Sequence, residues 1–276
     1  MKKLITALKA TKLVIFDLDG VIYRGNSLLS NVNYVIEELK KKSIKVVYNT
    51  NNSTATREMY INKLKKLGIP STLDDFYTSA SIASDEISQI KKHANLFVIG
   101  EIGLKEELRA KGHIIFSDTD DYRNVDFVIV GLDRSFTYKK LAYAQKCILQ
   151  GKAEFYATNT DTTLPMDDGL LPGAGVMVNA LELCTRHSPI KVFGKPNPFG
   201  IQKIIKEYNV SPEYVVIFGD RLNTDIVAGN RAGIKTVLVL TGVSNQEDVN
   251  SLLEKSNTDQ DLIPNLVINS LIEIFI

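Results

Sequence analysis

The sequence predicts an α/β fold built on a mostly parallel sheet, interrupted by a second α/β unit. Three observations predict it. Short runs rich in Val, Ile and Phe recur at 13–16, 45–48, 96–99, 127–130, 215–218 and 236–240. Between most of them lie stretches of about 10–15 residues with helical spacing, the pattern of βαβ units. The runs lack polar alternation, as expected of strands covered on both faces.

The elements follow in order. After the 13–16 strand, 33–42 places Tyr34, Ile36 and Leu39 among charges, which predicts a helix. After the 45–48 strand, 56–67 sets Met59, Tyr60, Leu64 and Leu67 at helical spacing, and Gly68 and Pro70 stop it. The middle of the chain reads as its own unit: strand 96–100, helix 104–111, strands 113–116 and 126–131, helix 138–150, strand 154–158. The expected organisation is a discontinuous domain, 1–82 and 177–276, with 83–176 inserted.

Composition bounds the function. The chain has 276 residues, 44% of them hydrophobic, with 33 Lys+Arg against 32 Asp+Glu and a net charge of +1. That balance argues against a nucleic-acid partner, which leaves a basic footprint. Cys147 and Cys184 are the only cysteines, so neither a disulfide framework nor a cysteine zinc cage is expected. No apolar run has the length of a membrane span, and the start is too short in apolar residues for a signal peptide. A cytoplasmic protein with no membrane partner is expected.

Four polar clusters stand at strand ends, the edge where open parallel sheets bind ligands. In Val-Ile-Phe-Asp-Leu-Asp-Gly (14–20), a strand ends in Asp17 and Asp19, with Gly20 allowing a tight turn. An Asx-rich turn reads the same way. In Val-Val-Tyr-Asn-Thr-Asn-Asn-Ser (46–53), Ser53 or Thr54 can cap a helix, or Thr50 and the following N–H groups can hold an anion. In Gly-Lys-Pro-Asn-Pro (194–198), two prolines fix the backbone around Lys195 before a helix. In Phe-Gly-Asp-Arg-Leu-Asn-Thr-Asp (218–225), a strand ends in Asp220 and Asp225 follows as a helix begins. No Gly-x-Gly-x-x-Gly follows the first strand, which disfavours a Rossmann dehydrogenase. Arg24 and Arg221 suit structural ion pairs, and His93, His113 and His187 lack ligand spacing.

Taken together, these motifs resemble the haloacid dehalogenase (HAD) superfamily over nearly the whole chain. Asp17-Leu18-Asp19-Gly20 matches its first motif, Thr50 its second, Lys195 its third, and Asp220 with Asp225 its fourth. Asp-Gly-Val-Ile-Tyr-Arg-Gly (19–25), Thr-Asn-Asn-Ser (50–53), Gly-Lys-Pro (194–196) and Gly-Asp-Arg-x-x-Thr-Asp (219–225) look like the NagD / 4-nitrophenylphosphatase branch. So do Val-Gly-Leu-Asp (130–133), Ala-Thr-Asn-Thr-Asp (157–161) and Pro-Gly-Ala-Gly (172–175). The resemblance implies a Rossmann-like, doubly wound HAD core with an α/β cap inserted between the second and third motifs.

It also implies phosphomonoester hydrolysis through an aspartyl-phosphate. Asp17 would attack phosphorus, and Asp19 would protonate the leaving oxygen and then activate water. Thr50 and Lys195 would stabilise the equatorial oxygens. Four acids and one lysine around an anion call for a hard divalent cation, Mg²⁺. Asp17, Asp220 and the backbone carbonyl of Asp19 would hold it, with Asp225 close by. Acidic neighbours would keep Asp19 protonated. Thr50, Asn51, Asn52 and Lys195 would bind the phosphate. Substrate choice would rest on the cap loop 159–165, where Asn159 and Asp161 join Leu164 and Pro165. The expected partner is a small phosphorylated metabolite, with a homodimer through the cap implied by resemblance alone. A phosphotransferase or mutase, and a non-catalytic phosphometabolite binder, are the alternatives.

Overall fold

The structure, a computed structural model of the chain, describes residues 3–166, 169–254 and 259–276. Its principal elements begin with β1 (Leu13–Phe16), α1 (Val32–Lys41), β2 (Lys45–Thr50), α2 (Arg57–Lys66), β3 (Phe76–Thr78) and α3 (Ser79–Ile90). There follow β4 (Asn95–Ile99), α4 (Ile102–Ala110), β5 (Ile114–Phe116), β6 (Phe127–Val130), α5 (Tyr138–Leu149), β7 (Glu154–Ala157), α6 (Ala174–Thr185) and β8 (Lys191–Val192). The chain ends with α7 (Phe199–Tyr208), β9 (Val215–Gly219), α8 (Val227–Arg231), β10 (Lys235–Val239), α9 (Gln246–Glu254) and β11 (Leu266–Ile268).

Two compact units result. One comprises Met1–Thr50, Ile61–Tyr77 and Lys195–Ile276; the other comprises Asn51–Tyr60 and Thr78–Gly194. The first unit is built on a six-stranded sheet in the order β11-β10-β9-β1-β2-β3. β1 lies between β2 and β9 and pairs with both in parallel, and parallel pairing continues through β10 and β11. β1 and β9 are buried along their whole length, which explains their unbroken apolar sequence. Phe16 and Phe218 are register partners with ring centroids 5.1 Å apart, a contact worth about 0.5–1.5 kcal/mol beyond area burial.

The second unit has a five-stranded sheet in the order β8-β7-β6-β4-β5, parallel throughout. Its core joins Phe97, Val128 and Phe155 from the sheet to Cys147 of α5 and to Met177, Val178 and Leu181 of α6. This corrects the expected boundaries. The unit runs from Thr78 to Gly194, not from 83 to 176, and also takes Asn51–Tyr60. A cut after 176 would divide α6, whose apolar face belongs to this core. At the other end Thr78 caps α3, its hydroxyl accepting from the Ser81 N–H at 3.0 Å, so the helix starts before residue 83.

Candidate active site

In the first unit the strand order reverses between β1 and β9. The chain leaves β1 toward β2 and β3, then returns to add β9, β10 and β11 on the other flank. A crevice opens at the carboxyl ends of strands flanking such a switch point. Asp17 follows β1 and Asp220 follows β9, so the topology delivers both acids there. Asp17 is fixed by its own N–H, which donates to the Phe218 carbonyl at 2.9 Å. Leu18 is fully buried, and its carbonyl accepts from the N–H groups of Val21, Ile22 and Tyr23. That tight turn projects Asp17 and Asp19 apart from the core while Leu18 plugs into it. Gly20 sits at φ +82°, a conformation open to glycine.

Lys195 organises the centre. Its ammonium donates to Asp17 Oδ1 at 2.6 Å, to Asp225 Oδ1 at 2.5 Å and to the Asn49 carbonyl at 2.8 Å. An ammonium has three protons, enough to serve these three acceptors. Asn49 is held in turn by its amide, which donates to the Tyr77 carbonyl at 2.9 Å. Asp225 lies in a wide π-helical turn over Leu222–Ile226, and its second oxygen accepts from the Arg221 N–H at 3.1 Å. Asp220 Oδ2 accepts from the Val243 N–H at 2.8 Å. Carboxylate oxygens of Asp17, Asp220 and Asp225 all lie within 4.8 Å of one another, and the three residues are buried.

Three glycines make this packing achievable. A Cβ on Gly219 would stand 2.0 Å from Cβ of Asp225. On Gly242 it would stand 2.0 Å from Asp220 Oδ2, and on Gly20 2.4 Å from the same atom. The loop after β10 was not foreseen as part of the site. It supplies Gly242, the Val243 N–H, and the Ser244 N–H that donates to the Asp220 carbonyl at 2.9 Å. The only signal for it is Thr-Gly-Val-Ser directly after a strand, a pattern shared with ordinary turns.

The electrostatics show what the cluster lacks. Burial pushes the Asp17 carboxyl well up; the Lys195 ammonium opposes this, while Asp225 and Asp220 add to it. Asp220 is raised by burial and by Asp225. Lys195 is raised because its two carboxylate partners outweigh burial. One ammonium does not neutralise three desolvated carboxylates. An all-oxygen donor set with excess negative charge fits a hard divalent cation.

Asp17, Lys195, Asp220 and Asp225 are thus brought together, and Thr50 ends the neighbouring strand at the same sheet edge, buried. The Asp19 side chain is exposed and lies outside the carboxylate group. Its carboxyl is raised, but not by acidic neighbours as expected. Although its tip reaches solvent, the surrounding protein desolvates it enough to raise it, and Lys63 is the largest opposing influence. Arg24 donates to the Thr241 carbonyl at 2.6 Å, a backbone contact in place of the expected ion pair.

The remaining predicted residues lie in the second unit. The Asn51 amide donates to both Asp161 oxygens, at 3.2 and 3.1 Å, and the Asn159 amide donates to the Asn51 carbonyl at 2.8 Å. Asn52 Oδ1 accepts from the N–H and hydroxyl of Thr54, a local turn. The helix after Thr50 starts only at Arg57, and Thr56 rather than Ser53 or Thr54 caps it, its hydroxyl accepting from the Met59 N–H. The expected loop 159–165 is loop only as far as Thr162; Thr163–Met166 forms the first strand of a hairpin, paired with Gly169–Pro172. The Pro165 side chain lies outside what the structure describes.

Comparison with known proteins gives the family. Residues 14–114 match the model of the haloacid dehalogenase-like hydrolases, and residues 192–274 match a second HAD-hydrolase-like model. An acid sugar phosphatase of Staphylococcus aureus is 36% identical over 242 residues, covering 88% of this chain and 91% of that protein. The crystal structure of a 4-nitrophenylphosphatase from Thermotoga maritima superposes with a TM-score of 0.87 at 32% identity, covering 97% of both chains. A glycerol phosphate phosphatase from Mycobacterium tuberculosis, in complex with magnesium, gives 0.87 at 27% identity, covering 99% of this chain and 78% of that one.

Proposed function

The chain belongs to the haloacid dehalogenase-like hydrolases, in the NagD-like branch with the 4-nitrophenylphosphatases, and is a phosphatase; on that premise we propose that it hydrolyses small phosphorylated metabolites through an aspartyl-phosphate on Asp17, with Mg²⁺ as cofactor. The observation that carries the reading is the buried Lys195 ammonium bridging Asp17 and Asp225 beside Asp220.

Asp17 is the nucleophile. Its carboxylate attacks phosphorus, splitting one displacement into two easier ones. Lys195 keeps Asp17 oriented and offers positive charge to the phosphoryl oxygens, and Thr50 at the adjacent strand end offers a hydroxyl to the same oxygens. Asp19, one turn further along, gives a proton to the leaving oxygen; its raised carboxyl suits that task. The same group then takes a proton from the water that cleaves the aspartyl-phosphate. Asp17, Asp220 and the Asp19 carbonyl would hold Mg²⁺, with Asp225 orienting Lys195 and the metal's surroundings. When bound, the ion neutralises carboxylate and phosphate charge that repel each other. The second unit would serve as the cap, and Asn159 and Asp161 would contribute to substrate choice.

The substrate class follows from chemistry shared by the relatives, whose names span a sugar phosphate, an aryl phosphate and glycerol phosphate. Asp17→Asn removes the nucleophile with little change in shape. It should lose activity toward 4-nitrophenyl phosphate by several orders of magnitude while melting like the parent. Full activity in that variant, or parent activity surviving complete chelation, would sink the mechanism. In ¹⁸O water, label should appear in released phosphate, whereas a phosphotransferase would pass the group to an acceptor unlabelled.

A further inference from the structure

The loop after β10, residues 241–244, holds two distant parts of the chain at once. On one side is the turn after β1. The Thr241 hydroxyl donates to the Gly20 carbonyl at 2.6 Å, and the Arg24 guanidinium donates to the Thr241 carbonyl at 2.6 Å. On the other side is the segment after β9. The Val243 N–H donates to Asp220 Oδ2 at 2.8 Å, and the Ser244 N–H donates to the Asp220 carbonyl at 2.9 Å. The Ser244 hydroxyl oxygen accepts from the Leu222 N–H at 3.2 Å. Turn and loop also meet backbone to backbone, since a Cβ on Gly20 would stand 3.0 Å from Cα of Gly242.

Register pairing of β1 with β9 ends at Phe16 and Phe218, before either acid. The Gly20 N–H is committed to the Tyr23 carbonyl at 2.8 Å, so the Thr241 hydroxyl serves the other polar group of that residue. Mg²⁺ demands near-ideal octahedral geometry, with oxygens at about 2.0–2.1 Å. Ligands drawn from two segments meet that demand only if the segments are held in fixed relation.

We propose that Thr241 is a positioning residue for the metal site: its hydroxyl and carbonyl clasp the turn between Gly20 and Arg24, and so set the Asp17–Asp19 segment against Asp220. The inference rests on the reading that Asp17, Asp220 and the Asp19 carbonyl hold Mg²⁺. Thr241 lies outside all four strand-end clusters of the sequence.

Mg²⁺ binding, measured by calorimetry and by the rise in Tm as the ion is titrated, tests this without relying on turnover. Thr241→Val keeps the shape and loses the hydroxyl, Thr241→Ser keeps the hydroxyl, and Arg24→Met cuts the other half of the clasp from an exposed position. Thr241→Val should weaken Mg²⁺ binding about 10- to 100-fold, the range for lost support around a metal ligand, while melting close to the parent in EDTA. Thr241→Ser should stay within about threefold of the parent, and Arg24→Met should weaken binding by at least about threefold. In saturating Mg²⁺, kcat of Thr241→Val on 4-nitrophenyl phosphate should return to within about threefold of the parent, because excess ion restores occupancy by mass action. Parental affinity in Thr241→Val, equal losses in the Val and Ser variants, or a kcat that stays low in saturating Mg²⁺ overturns the role of Thr241 alone. If Thr241→Val does not fold, parental affinity in Arg24→Met overturns it. A parent that binds no Mg²⁺, or an Asp220→Asn variant that binds it as tightly as the parent, overturns the metal assignment, and this inference with it.

Discussion

Lys195 and the glycines around it show how few atoms decide whether this site exists. Asp220 is pressed from two sides by Gly20 and Gly242, and its Oδ2 is held by the Val243 N–H. A methyl group on Gly242 has nowhere to go, because the obstructing atoms belong to the Asp220 side chain itself. Gly242→Ala should therefore swing Asp220 away from Asp17. We expect apparent Mg²⁺ affinity to fall about 10- to 100-fold, the range for disturbed support around a metal ligand. Titrating Mg²⁺ against both activity and thermal stability measures this, and an unchanged half-saturation point would contradict it. In the sequence, Asp17, Asp19, Thr50, Lys195, Asp220 and Asp225 were all legible, because each follows a strand with no gradual transition. Gly242 was not, since a glycine in a turn looks ordinary until its neighbours are known.

Among the elements, the segment between β2 and α2 departs most from expectation. A helix directly after Thr50 would have offered its N–H groups there. Instead Asn51 to Thr56 lies within the second unit without regular structure, bent at Thr54 and Ala55, and is tied by the Ser79 hydroxyl to the Asn51 carbonyl at 2.6 Å and by the Gly103 N–H to the Thr54 carbonyl at 3.0 Å. Arg57 then forks onto Glu107 with two hydrogen bonds of 2.8 and 3.0 Å. A Cβ on Gly103 would lie 2.4–2.6 Å from three backbone atoms of Ala55. Gly103→Ala should cost about 1–3 kcal/mol, the usual penalty for overpacking a site that cannot relax. Urea denaturation would read it, and a loss below about 0.5 kcal/mol would mean that the segment yields freely. The spacing of Met59, Tyr60 and Leu64 revealed α2 itself. It held no information on the partner at the helix start, because that partner is over 40 residues away.

For the whole molecule, the charge balance of +1 conceals a local excess of carboxylate. Asp17 and Asp220 are raised above the ordinary carboxylate range in the folded chain. Between the unfolded and folded values the native state binds more protons, so their contribution is present at low pH and fades as pH rises. Mg²⁺ binds the deprotonated form, and its stabilisation should grow in the opposite sense. The rise in Tm on adding Mg²⁺ should be larger at about pH 7.5 than at about pH 5. Paired melting curves with Mg²⁺ and with EDTA would show this, and an equal shift at both pH values would refute it. Asp220→Asn should flatten the difference. No helix among the described residues is long and apolar enough to cross a membrane.

The sequence alone determined the α/β class and marked the acids and the lysine at strand ends as candidates. Apolar runs of strand length, and polar residues that stop them, are local signals written within a few neighbouring positions. Only the tertiary structure decided which unit owns α6, where α2 begins and what presses on Asp220. Each of those depends on atoms far apart in the chain, and packing there is settled by volume and charge rather than by spacing.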